Sequence, residues 1–486
     1  MRCLRASAPP DGDASRSPRS DLALLAAVTI LAAAVILSFW RLHADNNDAA
    51  LYTLLARRLA HERTPFLLHL PAEDFRLPAP FYEHPPLYLW AQAAVLAISA
   101  NFDLRLLGAA CGVLTISIAF ALGREVVGAR ASFFGCTMLV ATEAFSNYQP
   151  LARLDPPLTL AFTASVAMLM RARGRLGWLL LGGLVAGLGA LVKGPPALGA
   201  PIAAALLIAA SGGTAFLREP RFWLVAVLGA ALPPLVFLIY DHLALGGAWW
   251  DRYVLGQVLG SALGRRGGYV GPLALLQTNV WRFWPGLPFA AVALARAVVA
   301  RWYPLRRARA LAERAALLGW AVLVFAGFAP SGRSYWWYLM PAYVPLALLA
   351  GAGAEDLVPR ASADRFTGWG RRFVLGIGVT LALLLPLNVL GRLERPCLFG
   401  GLPGQARALA GGGGEQIVAI VSPDRDYSTH VIFAEHCRCN TMLVSRLEDA
   451  DRPDVVGALV PSAQSVPEKW RPVAVQGRWS LLEHAP

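Results

Sequence analysis

Charge is scarce in this chain. Only 15% of its 486 residues are charged while 56% are hydrophobic, a balance that excludes a soluble globular protein of this length. Its six cysteines show no metal-ligand spacing. Cys111 and Cys136 fall inside apolar runs and read as small core residues. Cys3 lies near the start, and Cys397, Cys437 and Cys439 lie near the end, where one disulfide can form if that part is outside the cytoplasm. The glycine run Gly411 to Gly414 lacks the strand, lysine and helix of a phosphate loop. No nucleotide-binding element is therefore read. No internal repeat is evident, which counts against a transporter built from repeats. No A-x-A-like cleavage site follows the first apolar run cleanly, and that run is too long for a signal core, so it reads as a span.

What the chain does have is a series of uncharged apolar runs, such as Leu22 to Trp40 and Phe222 to Tyr240. They match a hydrocarbon layer of about 30 Å at about 1.5 Å rise per residue. The fold class expected is an α-helical polytopic membrane protein of eleven spans, at 21–40, 104–122, 131–148, 157–170, 176–192, 196–211, 222–241, 282–300, 313–329, 336–352 and 373–390. Residues 1–20 form an N-terminal tail, 21–390 the membrane domain, and 391–486 a small C-terminal α/β domain. In the last, Gln416 to Val421, Val455 to Val460 and Val473 to Val475 read as strands, and Tyr427 to His436 as a helix.

The topology turns on Pro86 to Ala100, which is apolar but short and opens on Pro85-Pro86. Its length suits an interfacial helix better than a span. If it does not cross, the arginine clusters at 124–130, 171–175, 218–221, 301–309 and 360–372 join Arg2, Arg5, Arg16 and Arg19 on one side. That is the positive-inside pattern. It gives the net charge of +13 a topological meaning rather than a nucleic-acid one. The N-terminus is then cytoplasmic, and the C-terminal domain and the first loop, 41–103, lie outside. In that loop Leu51, Leu54, Leu55 and Leu59 share one face of a helix expected over Asp48 to His61. Asp48 and Asp155 come to the same outer rim.

Each candidate site residue has an ordinary structural alternative. Asp48 reads as a general base or as a helix N-cap. Arg153, two residues before Asp155-Pro156-Pro157, reads as a phosphate ligand or as a local ion pair at a helix start. Lys193, before Gly194-Pro195-Pro196, either neutralises a lipid-borne phosphate or snorkels to headgroups. Arg333 and Tyr338, in Ser331-Gly332-Arg333-Ser334-Tyr335-Trp336-Trp337-Tyr338, either bind the same phosphate or form an aromatic belt with its anchor. Glu83 and His84, in Tyr82-Glu83-His84-Pro85-Pro86, suit a divalent cation or an acceptor hydroxyl, or merely open the interfacial helix. Trp250 and Arg265 lie in the long outer loop 242–281 and suit stacking and bidentate contacts to a sugar phosphate, or an ordinary membrane-surface loop. Five such polar insertions meeting one face of a bundle point to a site.

Taken in order, Asp48-x-x-x-Tyr52, Tyr82-Glu83-His84-Pro85-Pro86-Leu87, Arg153-Leu154-Asp155-Pro156, Gly187-x-x-Ala190-Leu191-x-Lys193-Gly194-Pro195, Ser331-x-Arg333 and Tyr338-x-x-Pro341 resemble the bacterial GT-C glycosyltransferases. These are relatives of the protein O-mannosyltransferases and of the lipid A aminoarabinose transferase. The resemblance spans roughly residues 20–350. It implies a multi-pass enzyme of the bacterial inner membrane that transfers one sugar from a polyprenyl-phosphate donor, usually with inversion, to a lipid, glycan or protein acceptor at the outer face. Membrane lipids are its surroundings and nucleic acid is not a partner. By resemblance Asp48 and Asp155 are the essential acids, and Lys193 and Arg333, with Tyr338 and Arg153, bind the donor phosphate. Tyr52, His84, Trp250 and Arg265 are substrate candidates, Glu83 is a candidate metal ligand, and a divalent metal is the candidate cofactor. The chain departs from the pattern at Ala49, where the family often has Glu, and at His84, where the aminoarabinose transferase has Lys. An outer-loop His of that enzyme meets Gln257 and Val258 here, with His242 upstream. These departures count against metal use and aminoarabinose chemistry. The other readings of the same features are a transporter or flippase and an oligosaccharide ligase for a lipid-linked substrate.

Overall fold

The computed structural model describes residues 18–40, 47–62, 81–100, 102–263, 271–300, 306–329, 335–357, 401–410, 416–421, 429, 433, 437, 440–444, 446–451, 455–462 and 464–484. The expected span at 373–390 and the candidates Arg265 and Arg333 lie outside them. The architecture is a helical membrane bundle followed by a small sheet domain. Helices α1 (Pro18–Trp40), α2 (Asn47–Glu62), α3 (Leu87–Ile98), α4 (Arg105–Val126), α5 (Ala129–Ala141), α6 (Asp155–Arg171), α7 (Leu176–Lys193), α8 (Ala200–Ala210) and α9 (Pro220–Leu245) come first. They are followed by α10 (Pro272–Arg282), α11 (Leu287–Ala300), α12 (Arg306–Phe328), α13 (Met340–Leu357) and α14 (Leu402–Leu409). Six helices among the described residues are long and apolar enough to cross a membrane, by length and composition. The outward faces of α7 and α9 leave Leu180, Leu181, Leu224, Leu228, Leu235 and Val236 exposed, as lipid contact requires.

Proline and glycine set where helices begin and how closely they approach. Pro156, Pro220 and Pro272 stand in first turns, where a missing N–H costs nothing. Gly246, left-handed at φ 62°, ends α9. Pro195 and Pro196 replace the first turn of the expected span 196–211 by a 3₁₀ turn, Pro195–Gly199, so that α8 starts at Ala200. The expected span 131–148 is broken at Thr142, whose hydroxyl donates back to the Met138 carbonyl; a separate turn, Glu143–Ser146, follows. Residues expected in the outer loop 242–281 instead form a π-type helix, Trp250–Leu259, and α10. Gly351 of α13 faces Gly135 of α5 so closely that a Cβ on Gly351 would overlap the Ala131 carbonyl.

The two ends of the bundle carry different features. At one end Arg124 pairs with Asp21 at 3.3 Å and Arg171 with Glu125 at 2.8 Å, which joins the start of α1 to the ends of α4 and α6. At the other end lie α2, the start of α6, the end of α7 and the start of α13. Here α3 is a twelve-residue helix with a buried face of Tyr88, Leu89, Gln92, Ala93 and Leu96, packed on α2. A short helix is thus present within the segment Pro86 to Ala100, as its length and opening prolines predict.

The C-terminal domain holds a five-stranded sheet of order β2-β1-β3-β5-β4, with β1 (Ile417–Val421), β2 (Asn440–Val444), β3 (Val455–Pro461), β4 (Trp470–Gln476) and β5 (Trp479–His484). β1 runs parallel to β2 and β3, while β3, β5 and β4 are antiparallel. β2 and β5 are not evident in the sequence: Asn440-Thr441-Met442 and Glu483-His484 dilute the apolar pattern that marks β1 and β3. Thr429, Phe433 and Cys437 are helical and buried at four-residue spacing, and Cys437 is disulfide-bonded.

Candidate active site

The site is a chain of alternating charges. Asp48 opens α2; Arg153 closes the short loop before α6; Asp155 opens α6; Lys193 ends α7. Arg153 donates to Asp48 Oδ2 at 2.6 Å and its Nε lies 3.5 Å from Asp155 Oδ2. Lys193 donates to the other oxygen of Asp155, Oδ1. The two aspartates, 107 residues apart in the sequence, are thus joined through one guanidinium.

Burial separates the two acids. The Asp155 side chain is 2% exposed, Arg153 3% and Lys193 6%, whereas Asp48 is 48% exposed. Asp155 is enclosed by two cations and holds them in place. Asp48 keeps a face open to solvent at the mouth. Buried ions persist only when paired with good geometry, and this set satisfies that in series. Lys193 is one of two lysines in the chain, the other being Lys469.

Aromatic rings complete the walls. The Arg153 guanidinium lies over Trp337, 4.6 Å from its centroid, and over Tyr148 at 5.0 Å. Trp337 stacks in turn on Tyr335 at 4.5 Å. Lys193 Nζ sits 4.1 Å above the Tyr338 ring. Such contacts suit a desolvated cation. Burial works against the charge of Arg153, but Tyr148, Asp155 and Asp48 around it hold the cation above even its ordinary range. Burial, then the Asp48 carboxylate, pushes the Tyr52 phenol well above its usual range, with Arg153 opposing. Tyr52 therefore stays protonated and able to donate.

The backbone is fixed by packing as well as by charge. Gly194, at φ 102°, lies against Tyr253, whose hydroxyl donates to the Lys193 carbonyl at 3.0 Å. Tyr253 packs on Trp249, and Asp241 at the end of α9 accepts from the Trp249 and Trp250 amides at 3.0 and 2.9 Å. The loop carrying Arg153 is seated on α4: a Cβ on Gly108 would meet the Gln149 and Leu151 carbonyls. From the other side Gln92 of α3 approaches the Ala152 carbonyl at 3.5 Å.

Of the residues expected in the site, Asp48, Tyr52, Arg153, Asp155, Lys193 and Tyr338 come together. His84 meets Tyr52 edge to face at 5.8 Å, one layer behind. Trp250 is exposed on the rim, and its neighbour Trp249 is the buried one. Glu83 is exposed, and among the described residues no three His, Cys, Asp or Glu side chains gather as a metal would require. Tyr148 escapes sequence reasoning. Its only signal is an aromatic in a short polar connection, five residues before Arg153.

Comparison with known proteins bears on the sequence and the fold. A family model described as dolichyl-phosphate-mannose-protein mannosyltransferase matches residues 83–240. An undecaprenyl phosphate-alpha-4-amino-4-deoxy-L-arabinose arabinosyl transferase of Pseudomonas aeruginosa PAO1 is 26% identical over 341 residues, 65% of this chain and 57% of the relative. The chain thus spans somewhat over half the length of the curated relatives it matches. The crystal structure of ArnT from Cupriavidus metallidurans bound to undecaprenyl phosphate superposes with a TM-score of 0.64 at 16% identity, covering 96% of this chain and 98% of that one. An archaeal oligosaccharyltransferase, AglB from Archaeoglobus fulgidus, gives 0.52 at 13% identity, over 90% of this chain and 69% of that one. The chain is similar in sequence to these transferases, and its fold is that of the two solved structures.

Proposed function

We propose that this chain is an integral glycosyltransferase of the bacterial inner membrane, moving one sugar from a polyprenyl-phosphate carrier to a hydroxyl-bearing lipid, glycan or protein acceptor at the outer face. The observation that carries it is the Asp48–Arg153–Asp155–Lys193 series at one end of the bundle. It places an accessible carboxylate beside one buried cation, and a buried carboxylate between that cation and a second.

The chemistry follows from those roles. The acceptor oxygen attacks the anomeric carbon while the bond from that carbon to the phosphate oxygen breaks. The electron pair leaves with the polyprenyl phosphate, and the acceptor proton passes to Asp48. Deprotonation by a positioned base contributes about 10²–10⁴ in rate. The growing charge on the departing phosphate is met by Lys193 and Arg153, already oriented before reaction. Tyr52 and Tyr338, both protonated donors at the cavity wall, add hydrogen bonds to sugar or phosphate. A single displacement inverts the anomeric centre.

The N-terminus is assigned to the cytoplasm and the site and C-terminal domain to the periplasm. The arginine-rich end of the bundle supports this, as does disulfide-bonded Cys437, since disulfides persist in oxidising compartments. The P. aeruginosa relatives are named for aminoarabinose transfer; this chain departs from that pattern at His84, where that enzyme has Lys, so neutral pentose and hexose donors are candidates too. The test is transfer by purified protein in liposomes from undecaprenyl-phosphate sugars of both kinds, with mass spectrometry of envelope lipids from a deletion strain. Transfer from a neutral-sugar donor supports the reading. Vectorial movement of the intact carrier lipid without transfer would replace it by a flippase.

A further inference from the structure

Helix α2 is held on three sides by three separate apolar clusters. Tyr52, Leu55 and Leu59 pack with Phe81, Tyr88, Leu89, Leu154 and Leu158 of the rim and bundle. Ala49 and Ala56 pack with Leu96, Leu104 and Ala152, behind the loop that carries Arg153. Ala50, with Leu51 and Leu54 beside it, belongs to the core of the C-terminal domain, in one cluster with Leu402, Ala406, Phe433, Cys437, Trp479 and Leu481. Ala49, Ala50 and Ala56 are essentially inaccessible. Small side chains there allow three bodies to close on one helix, and Asp48 sits in its first turn, two residues from Ala50.

This arrangement is costly to a domain that is only appended. A tethered module would keep its own core closed and leave α2 to the membrane rim. Here the core of the sheet domain is completed by a helix from the first loop, at the far end of the chain. Taken with the transferase reading above, on which it rests, we infer that the C-terminal domain is a positioning element of the active site, fixing the Asp48 carboxylate against Arg153 through Ala50, Leu51 and Leu54. Interior packing transmits such displacements because it has few voids to absorb them. Misplacing a reacting group by about 1 Å can cost about 10²-fold in rate. The donor phosphate ligands Lys193 and Arg153 belong to α7 and to the loop before α6, which the domain does not touch through this cluster. The domain therefore bears on turnover more than on donor binding.

The test uses the full chain in liposomes with an undecaprenyl-phosphate sugar. Ala50→Leu on α2 and Ala406→Leu on α14 overfill the cluster from its two sides, and Ala50→Ser is the conservative control. The expected result is a fall in kcat of about 10-fold or more for both leucine variants, with the donor KM within about two-fold and Ala50→Ser near wild type. Hydrogen exchange gives a readout independent of turnover: the amides of Asn47–Glu62 exchange faster in Ala406→Leu while those of Asp155–Arg171 do not change. Unchanged kcat with unchanged exchange in α2 overturns the inference. So does a parallel loss of donor binding with faster exchange throughout the bundle. A wild-type protein that transfers no sugar sinks the transferase reading instead, and the exchange comparison then still decides whether the domain holds α2.

Discussion

At the scale of single residues, two carboxylates do different work. Asp155 is sealed between Lys193 and Arg153, so removing Asp155 strands the buried Lys193, and removing Lys193 leaves Asp155 with Arg153 alone. Lys193→Met and Asp155→Leu are each expected to destabilise by about 3–5 kcal/mol, while the double variant recovers most of that loss. Thermal unfolding in detergent measures it, and equal loss in all three would contradict the buried pair. On the proposed reading the double variant is expected to stay inactive, since the cation assigned to the donor phosphate is gone. Tyr338→Phe keeps the ring beneath Lys193 and removes only the hydroxyl. It is expected to raise the donor KM by no more than about 10-fold, in line with one neutral hydrogen bond, whereas Tyr338→Ala costs more in stability. Much of this site was legible in the sequence, because Asp48, Arg153, Asp155 and Lys193 are polar residues stranded at the ends of apolar runs, where a charge needs a reason. What was not legible is which acid is buried. Burial depends on how loop 149–154 lies on α4 and α3, and no local pattern encodes that.

At the scale of elements, the seat of that loop is decisive. Gly108 lies so close to the Gln149 and Leu151 carbonyls that a methyl group there must displace the backbone. Gly108→Ala is expected to reduce kcat about 10²-fold through a shift of Arg153, with the protein still extracted and folded. Gly327 serves as the control, because a Cβ there meets nothing within 4 Å; Gly327→Ala should leave turnover unchanged. The helices themselves were readable wherever an apolar run was continuous. The structure departs from the expected spans where proline or a hydroxyl interrupts a run, at Thr142 and at Pro195-Pro196. There the chain breaks into shorter pieces that a hydropathy window averages over. In the C-terminal sheet, β1 and β3 were visible as buried strands, but β2 and β5 were not, since strands completed by cross-strand pairing need no continuous apolar run of their own.

At the scale of the whole molecule, one end of the bundle carries the Arg124–Asp21 and Arg171–Glu125 pairs and the other carries the site, α2 and the sheet domain. With the arginine-rich end in the cytoplasm, a phosphatase that works only when exported is expected to be active when fused after Leu390. Single cysteines introduced by Glu83→Cys and by Arg175→Cys should label from opposite sides of the membrane. Labelling of both from the same side would break this topology. The helical membrane class followed from composition and charge distribution alone. The docking of α2 into the C-terminal core did not, because it joins residues hundreds of positions apart through alanines that any helix can carry.

The most direct measurement of the central claim is single-turnover sugar transfer from an undecaprenyl-phosphate donor by the Asp48→Asn variant, with donor binding measured on the same sample. An amide keeps the shape and the contact to Arg153 but takes no proton at neutral pH. Donor binding is expected to stay near that of wild type, with transfer slowed about 10²-fold or more. Transfer at the wild-type rate would show that the exposed carboxylate bridged to Arg153 is not the base.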